Sequence, residues 1–251
     1  MRLKAVLWDV DGTLAETERD GHLVAMNAAF AELDIPWRWD ELRYGELLRV
    51  AGGFERLLFD MESQPLAPAS MDERRALARR IHVLKNQRYK ERVESGALPL
   101  RPGVRELFDE CEASGMHMAV VTTTSRGNVA ALLGAHFGPQ WRDRFAAVVC
   151  AEDAPDKKPD PQAYRLVLER LQLQAERAVA IEDSAMGLAA ATAAGIPVVI
   201  TRSRYFPDDP VAGALAVGPS LGTRADWLPS LDGKPGRVGL ADIRYWHETR
   251  A

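Results

Sequence analysis

Cysteine is almost missing from this chain. Only Cys111 and Cys150 occur, one in helix-like and one in strand-like apolar surroundings. A disulfide-stapled secreted fold is therefore excluded, and core packing in a reducing compartment is expected. Long hydrophobic runs are also missing. No apolar stretch approaches a membrane span, and the first residues read as a strand rather than a secretion signal. Neither a membrane partner nor export is expected, and a cytoplasmic location follows. There is no surplus of positive charge either: 32 Lys and Arg stand against 36 Asp and Glu, a net charge of −4. Nucleic acid is not an expected partner, and an anionic ligand must be met by local cations rather than by the overall field. Internal repeats and low-complexity tracts do not occur. What remains is a globular chain of 251 residues, 47% hydrophobic, long enough for a sizeable core and a small added domain. A monomer is expected.

Short apolar runs recur at 4–8, 116–122, 146–151, 178–182 and 196–201. They are continuous rather than alternating, as strands buried on both faces should be. Helical signals separate the later runs. Pro102-Gly103 opens a segment that Gly115 stops, Asp160-Pro161 precedes Ala163 to Leu171, and Ser184 to Ala194 ends at Gly195. This alternation predicts an α/β fold, a doubly wound parallel sheet, with ligands at the carboxyl ends of its strands. Residues 15–95 differ. Leu23, Met26, Phe30 and Leu33 follow helical spacing, as do Leu42, Leu47 and Val50, and Ser70 with Glu73 forms a capping box. An all-helical inserted domain is expected there, between core segments 1–14 and 96–222. Residues 223–251 are expected to be an extension packed on the core or partly disordered.

The run Ala5-Val6-Leu7-Trp8 ends in Asp9-Val10-Asp11-Gly12-Thr13-Leu14. Two carboxylates thus emerge where a buried strand stops, and Gly12 permits a sharp turn. Such a pair suits cation binding, nucleophilic attack or proton transfer. Three further strings follow in order: Met118-Ala119-Val120-Val121-Thr122, then Lys158-Pro159-Asp160-Pro161, then Val179-Ala180-Ile181-Glu182-Asp183-Ser184. Together the four strings resemble the motifs of the haloacid dehalogenase-like (HAD) superfamily. Ala15 to His22, Ala51 to Arg56, His82-x-x-Lys85 and Leu100 to Gly103 resemble its CbbY-like subgroup of sugar-bisphosphate phosphatases.

The resemblance implies a HAD-like core under a helical cap, and a phosphatase working through an aspartyl-phosphate. Asp9 would be the nucleophile, and Asp11 would donate a proton to the leaving alcohol and later accept one from water. Lys158 would neutralise phosphoryl oxygens, and Thr122 would offer donors to them. Four acids around a phosphate dianion need a cation, so Mg2+ is expected, held by Asp9, the Asp11 carbonyl and Asp183, with Glu182 binding directly or through water. Gly12, Glu18, His22, Gly53, Arg56, Lys85, Thr123, Thr124 and Arg126 are the expected substrate contacts. Lys157, beside Lys158, is expected to be a solvated surface lysine. Trp37 and Trp39 are expected to pack the cap. The substrate would be a small sugar phosphate or bisphosphate resembling xylulose-1,5-bisphosphate. One departure stands out: the subgroup usually has lysine where this chain has Phe54. A β-phosphoglucomutase-like mutase shares the same motifs, so it remains an alternative. A silent phosphosugar-binding module is the alternative from a different class, which the intact acids and Lys158 disfavour.

Overall fold

The computed structural model describes residues 2–231 and 235–249. Six parallel strands form one sheet: β1 (Ala5–Trp8), β2 (His117–Val121), β3 (Ala147–Val149), β4 (Ala178–Glu182), β5 (Val198–Thr201) and β6 (Ala216–Gly218). Their order is β3-β2-β1-β4-β5-β6. In β1, Ala5 lies opposite His117 on one side and Ala178 on the other, which places β1 and β4 at the centre. The order changes direction between these two strands, where ligands of doubly wound sheets bind.

Alternation divides each strand between two cores. Val6, Trp8, Met118, Val120, Val179 and Ile181 enter one cluster with α5 (Val104–Ala113) and α6 (Arg126–Phe137). Ala5, Leu7, Ala119, Val121, Ala178 and Ala180 enter the other with α7 (Gln162–Leu171) and α8 (Ala185–Ala193). Burial on both faces is why the strand runs are apolar without a break. β6 is a strand that the sequence pattern does not announce. It is three residues long, and its Gly218 lies under the Trp227 ring, where any Cβ would collide.

Between β1 and α5 the chain is helical: a π-helical turn (Glu18–Leu23), α1 (Val24–Glu32), α2 (Glu41–Leu47), α3 (Gly53–Asp60) and α4 (Met71–Glu94). Ser70 caps α4 by accepting the Glu73 N–H at 3.3 Å. Trp37 and Trp39 pack edge-on against Phe30 inside this block, and the Trp39 indole donates to Asp60 at 2.6 Å. Asp11 pairs with Ala15, and Ala15 with Leu100, so the two chain crossings lie side by side. Gly96, at the return crossing, has φ +75° and open space around it.

Residues 223–231 and 235–249 join the main core. Trp227 stacks on Trp246 of α9 (Leu240–Glu248) with ring centroids 4.8 Å apart, and Val238, Leu240 and Ile243 are buried in the same cluster. Packing on the core is the outcome for this segment. The expectation of partial disorder at 232–234 and 250–251 lies outside the described residues, as does Met1. Both cysteines are free and buried. Among the described residues no helix is long and apolar enough to cross a membrane.

Candidate active site

The site grows from the ends of β1 and β4. Asp9 follows β1 directly, and its backbone N–H donates to the Ile181 carbonyl of β4 at 3.1 Å, which keeps the two strand ends together. Glu182 closes β4 and Asp183 follows it, so three carboxylates converge. One oxygen from each of Asp9, Glu182 and Asp183 lies within 4.8 Å of the others, all three residues buried. Gly12 makes this approach possible. Its φ is +84°, and a side chain there would collide with the Asp183 carboxylate.

Lys158 supplies the balancing charge. Its ammonium donates to Asp9 Oδ1 at 2.6 Å, to Glu182 Oε1 at 2.6 Å and to the Val121 carbonyl at 2.9 Å. Glu182 accepts a further bond from the Tyr164 hydroxyl at 2.5 Å, and its carboxylate lies so close to Gly187 that a Cβ there would collide. Glu182 is thus an anchor for Lys158 as well as a member of the acidic cluster. One cation does not balance three acids. Burial, with Glu182 adding to it, pushes the Asp9 carboxyl up to about 7 despite Lys158. Burial and its acidic neighbours hold Asp183 well above the ordinary range. A buried set of hard oxygen donors short of positive charge fits a divalent cation.

Asp11 has the opposite character. Burial would raise it, but His22 at 3.1 Å and the Thr17 hydroxyl at 2.5 Å outweigh burial and bring it down to about 2. It is a carboxylate held ionised by helical-block residues, at the junction of two lobes of one cleft. The inner lobe, about 60 Å³, reaches Asp9, Lys158, Glu182 and Asp183. The outer lobe, about 100 Å³, reaches His22, Phe54, His82 and Lys85. Asp11, Glu18, Gly52, Arg56 and Thr123 border both.

Arg56 is fixed by its own surroundings: it donates to the Leu47 carbonyl and the Tyr44 hydroxyl, each at 3.1 Å, and lies 4.0 Å from Glu18. Lys85 is different. Among the described residues its buried ammonium has one hydrogen bond, 3.3 Å to Asn86, and it lies over the Tyr89 ring. Burial pulls it down to about 8 although Glu18 and Asp11 favour its charge, so it faces the outer lobe with donors to spare. Phe54 meets His82 edge-on, and burial with the nearby Lys85 lowers His82 to about 4, so this wall carries little charge. Gly53 faces the same imidazole.

Two expectations are corrected by these positions, those for Arg126 and Lys157. Arg126 does not line the cleft; its guanidinium pairs with Asp153 at 2.6 Å, and the Glu152 carboxylate takes its backbone N–H. Ser125 caps helix α6 by accepting the Asn128 N–H. The Thr122 hydroxyl is buried and accepts the Thr124 N–H at 3.2 Å, with its own O–H left to donate, and Thr123 and Thr124 face the cleft. Lys157 is no solvated lysine: it reaches across to Glu55 of α3 at 2.6 Å and lines the outer lobe. Sequence reasoning also missed Tyr164, Tyr44 and the buried Arg101, whose guanidinium collects the carbonyls of Gly12, Thr201, Arg202 and Pro219. The only signal for Arg101 was its place in the subgroup-like string; Tyr164, one helical turn beyond the lysine motif, gave none.

A model of haloacid dehalogenase-like hydrolases matches residues 3–195, which hold every acid and the lysine of this centre. The chain belongs to the haloacid dehalogenase-like hydrolase family. Within this family it is 45% identical over 247 residues to a plasmid-encoded CbbY protein of Cupriavidus necator, covering 98% of this chain and 97% of that one. It also resembles the crystal structure of CbbY from Rhodobacter sphaeroides in complex with phosphate, with TM-score 0.79 and 40% identity over 84% of this chain and 92% of that one. An aspartate-to-asparagine variant of that CbbY, in complex with xylulose-1,5-bisphosphate, matches with the same score, identity and coverage.

Proposed function

We propose that this HAD-like hydrolase is a Mg2+-dependent phosphatase of small phosphorylated sugars, with xylulose-1,5-bisphosphate the first substrate to test. The observation that carries the reading is the pairing of two chemistries in one cleft. Acids and Lys158 surround the inner lobe, and a second buried cation, Lys85, faces the outer lobe with donors unused. A sugar with phosphates at both ends matches that polarity, and the two CbbY complexes support it.

In this reading Asp9 attacks phosphorus and forms an aspartyl-phosphate. Lys158 orients the Asp9 carboxylate and takes up charge on the phosphoryl oxygens, and Thr123 lies beside them. Asp9 and Asp183 would hold Mg2+, with the Asp11 carbonyl and Glu182 at the edge of the set; the cation would neutralise the phosphoryl group and keep Asp9 ionised. Asp11 handles the proton. It is ionised beside His22, and a phosphate dianion arriving next to it opposes that stabilisation and raises its proton affinity. Taking a proton from solvent as the substrate binds, it protonates the leaving alcohol and, as the carboxylate left behind, accepts a proton from the hydrolytic water. The helical cap keeps bulk water from the intermediate. Free Cys111 and Cys150, both pushed up to about 12 by burial, fit a reducing, cytoplasmic setting.

The test is phosphate release from a panel of pentose and hexose mono- and bisphosphates, with Mg2+ or with EDTA. Activity should require Mg2+, favour a sugar bisphosphate and fall by orders of magnitude in Asp9→Asn. Conversion of a hexose 1-phosphate to its 6-phosphate without free phosphate would make the protein a mutase instead.

A further inference from the structure

The Lys157–Glu55 pair takes no part in the phosphoryl chemistry. Lys157 lies on the loop between β3 and α7, and Glu55 lies in the first turn of α3. Their Nζ and Oε1 are 2.6 Å apart, and the lysine side chain is only 19% exposed. The local backbone is shaped to this contact. Gly52 has φ +92°, and a Cβ there would collide with Glu55 Oε2 and lie 2.5 Å from the Lys157 ammonium. The Glu55 carboxylate therefore folds back over the start of its own helix, and the core lysine meets it there.

We infer that Lys157 and Glu55 are the latch that holds the cap closed, a positioning pair acting on the Gly52-to-Arg56 segment. Gly52 and Arg56 border both lobes, so the position of this helix start sets the shape of the whole cleft. Other ion pairs cross the same divide: His22–Asp11 at 3.1 Å lies within the cleft, Arg101–Glu16 at 3.4 Å lies at the chain crossings, and Arg204–Glu41, at 3.7 Å, is more than half exposed on both sides, which leaves it largely screened; none of the three involves a residue of α3. The pair can also break cheaply. A glutamate at the third position of a helix can turn to the first N–H groups of that helix, and Lys157 can return to water. Lys158 has no such freedom, because its departure strands Asp9 and Glu182. Since the two lysines are adjacent, closure fixes α3 relative to the group that grips the nucleophile. The kinetic consequence rests on the phosphatase reading; the latch itself does not.

The deciding experiment is hydrogen exchange of the unliganded protein across residues 52–57, comparing wild type with Lys157→Met, Glu55→Gln and the swap Lys157→Glu plus Glu55→Lys. Each single change should speed exchange about two- to fivefold, the worth of one partly exposed ion pair, and the swap should restore it. In parallel, the KM for a sugar bisphosphate should rise by a similar factor in the single variants and return toward wild type in the swap. Unchanged exchange in both single variants, or no restoration by the swap, overturns the latch. A KM that rises in Lys157→Met but not in Glu55→Gln also overturns it, by making Lys157 a direct substrate contact. If the wild type does not cleave the bisphosphate, the phosphatase reading fails, and exchange still decides the latch.

Discussion

Asp9→Asn should abolish turnover and yet stabilise the metal-free protein at alkaline pH. Asp9 is 6% exposed, and burial followed by Glu182 raises its carboxyl from 3.8 to about 7 although Lys158 pulls the other way. Between those values the folded state holds a proton that the unfolded chain has released. The stability this gives is fully present below 3.8 and is lost as pH rises through the folded value. Each pH unit in that window is worth about 1.4 kcal/mol, so the stretch from pH 5.5 to 7 costs about 2 kcal/mol. At this chain length that is roughly 4–8 °C in Tm. Asp183 is shifted in the same direction and adds to the slope. Asp11 is shifted downward to about 2, so its contribution is complete above the unfolded value and flat across this window. Lys158, raised above its ordinary value, stays protonated throughout. Thermal or urea unfolding in EDTA at pH 5.5 and 8 measures the effect. Wild type should lose stability between them, and the asparagine variant should lose about 2 kcal/mol less and exceed wild type at pH 8. Mg2+ should stabilise wild type more at pH 8 than at pH 5.5. A flat wild-type profile in EDTA, or an asparagine variant less stable than wild type at pH 8, would refute the argument that these acids are held short of positive charge.

Gly187→Ala should cost activity on every ester and reduce stability, because the new methyl displaces the Glu182 carboxylate that holds Lys158; disturbing a buried pair of this kind costs up to about 3–5 kcal/mol, checked by urea unfolding beside a p-nitrophenyl phosphate assay. Arg56→Ala should lower kcat/KM for a sugar bisphosphate about tenfold to a hundredfold and leave p-nitrophenyl phosphate nearly untouched, the loss of one charge-assisted contact; equal losses would assign Arg56 to cap folding through Leu47 and Tyr44. Phe54→Lys should improve use of a bisphosphate if the weakly charged wall at His82 limits binding; an unchanged KM would mean that Lys85 already serves the distal phosphate.

The acids of the candidate site were legible because strand ends announce themselves. Asp9 and Asp183 follow apolar runs that can only be buried strands, and a parallel sheet brings such ends to one edge. The order of the motifs, with Gly12 and Lys158 between them, then identifies the centre without coordinates. The helical block was legible from spacing and from the Ser70 cap, and the tryptophans inside it from their apolar neighbours. Other features depended on which way a side chain turns after the chain has folded. Lys157 and Lys158 are adjacent and chemically identical, and sequence can say only that they point apart. Tertiary structure decides that one grips Asp9 and the other reaches the cap. Glu182 reads as a ligand from its place beside Asp183, but packing gives it Lys158 and Tyr164 as partners. Arg126 reads as a phosphate contact from its place near a helix start, and nearby Asp153 claims it. β6 is too short to carry a pattern and exists because β5 offers it an edge and Trp227 covers it. Strand periodicity and turn chemistry are local, so the sequence by itself determined the sheet, the helical block and the acids that converge at the strand ends. Partner choice among long charged side chains depends on distances between segments far apart in the chain, and only the assembled fold sets those.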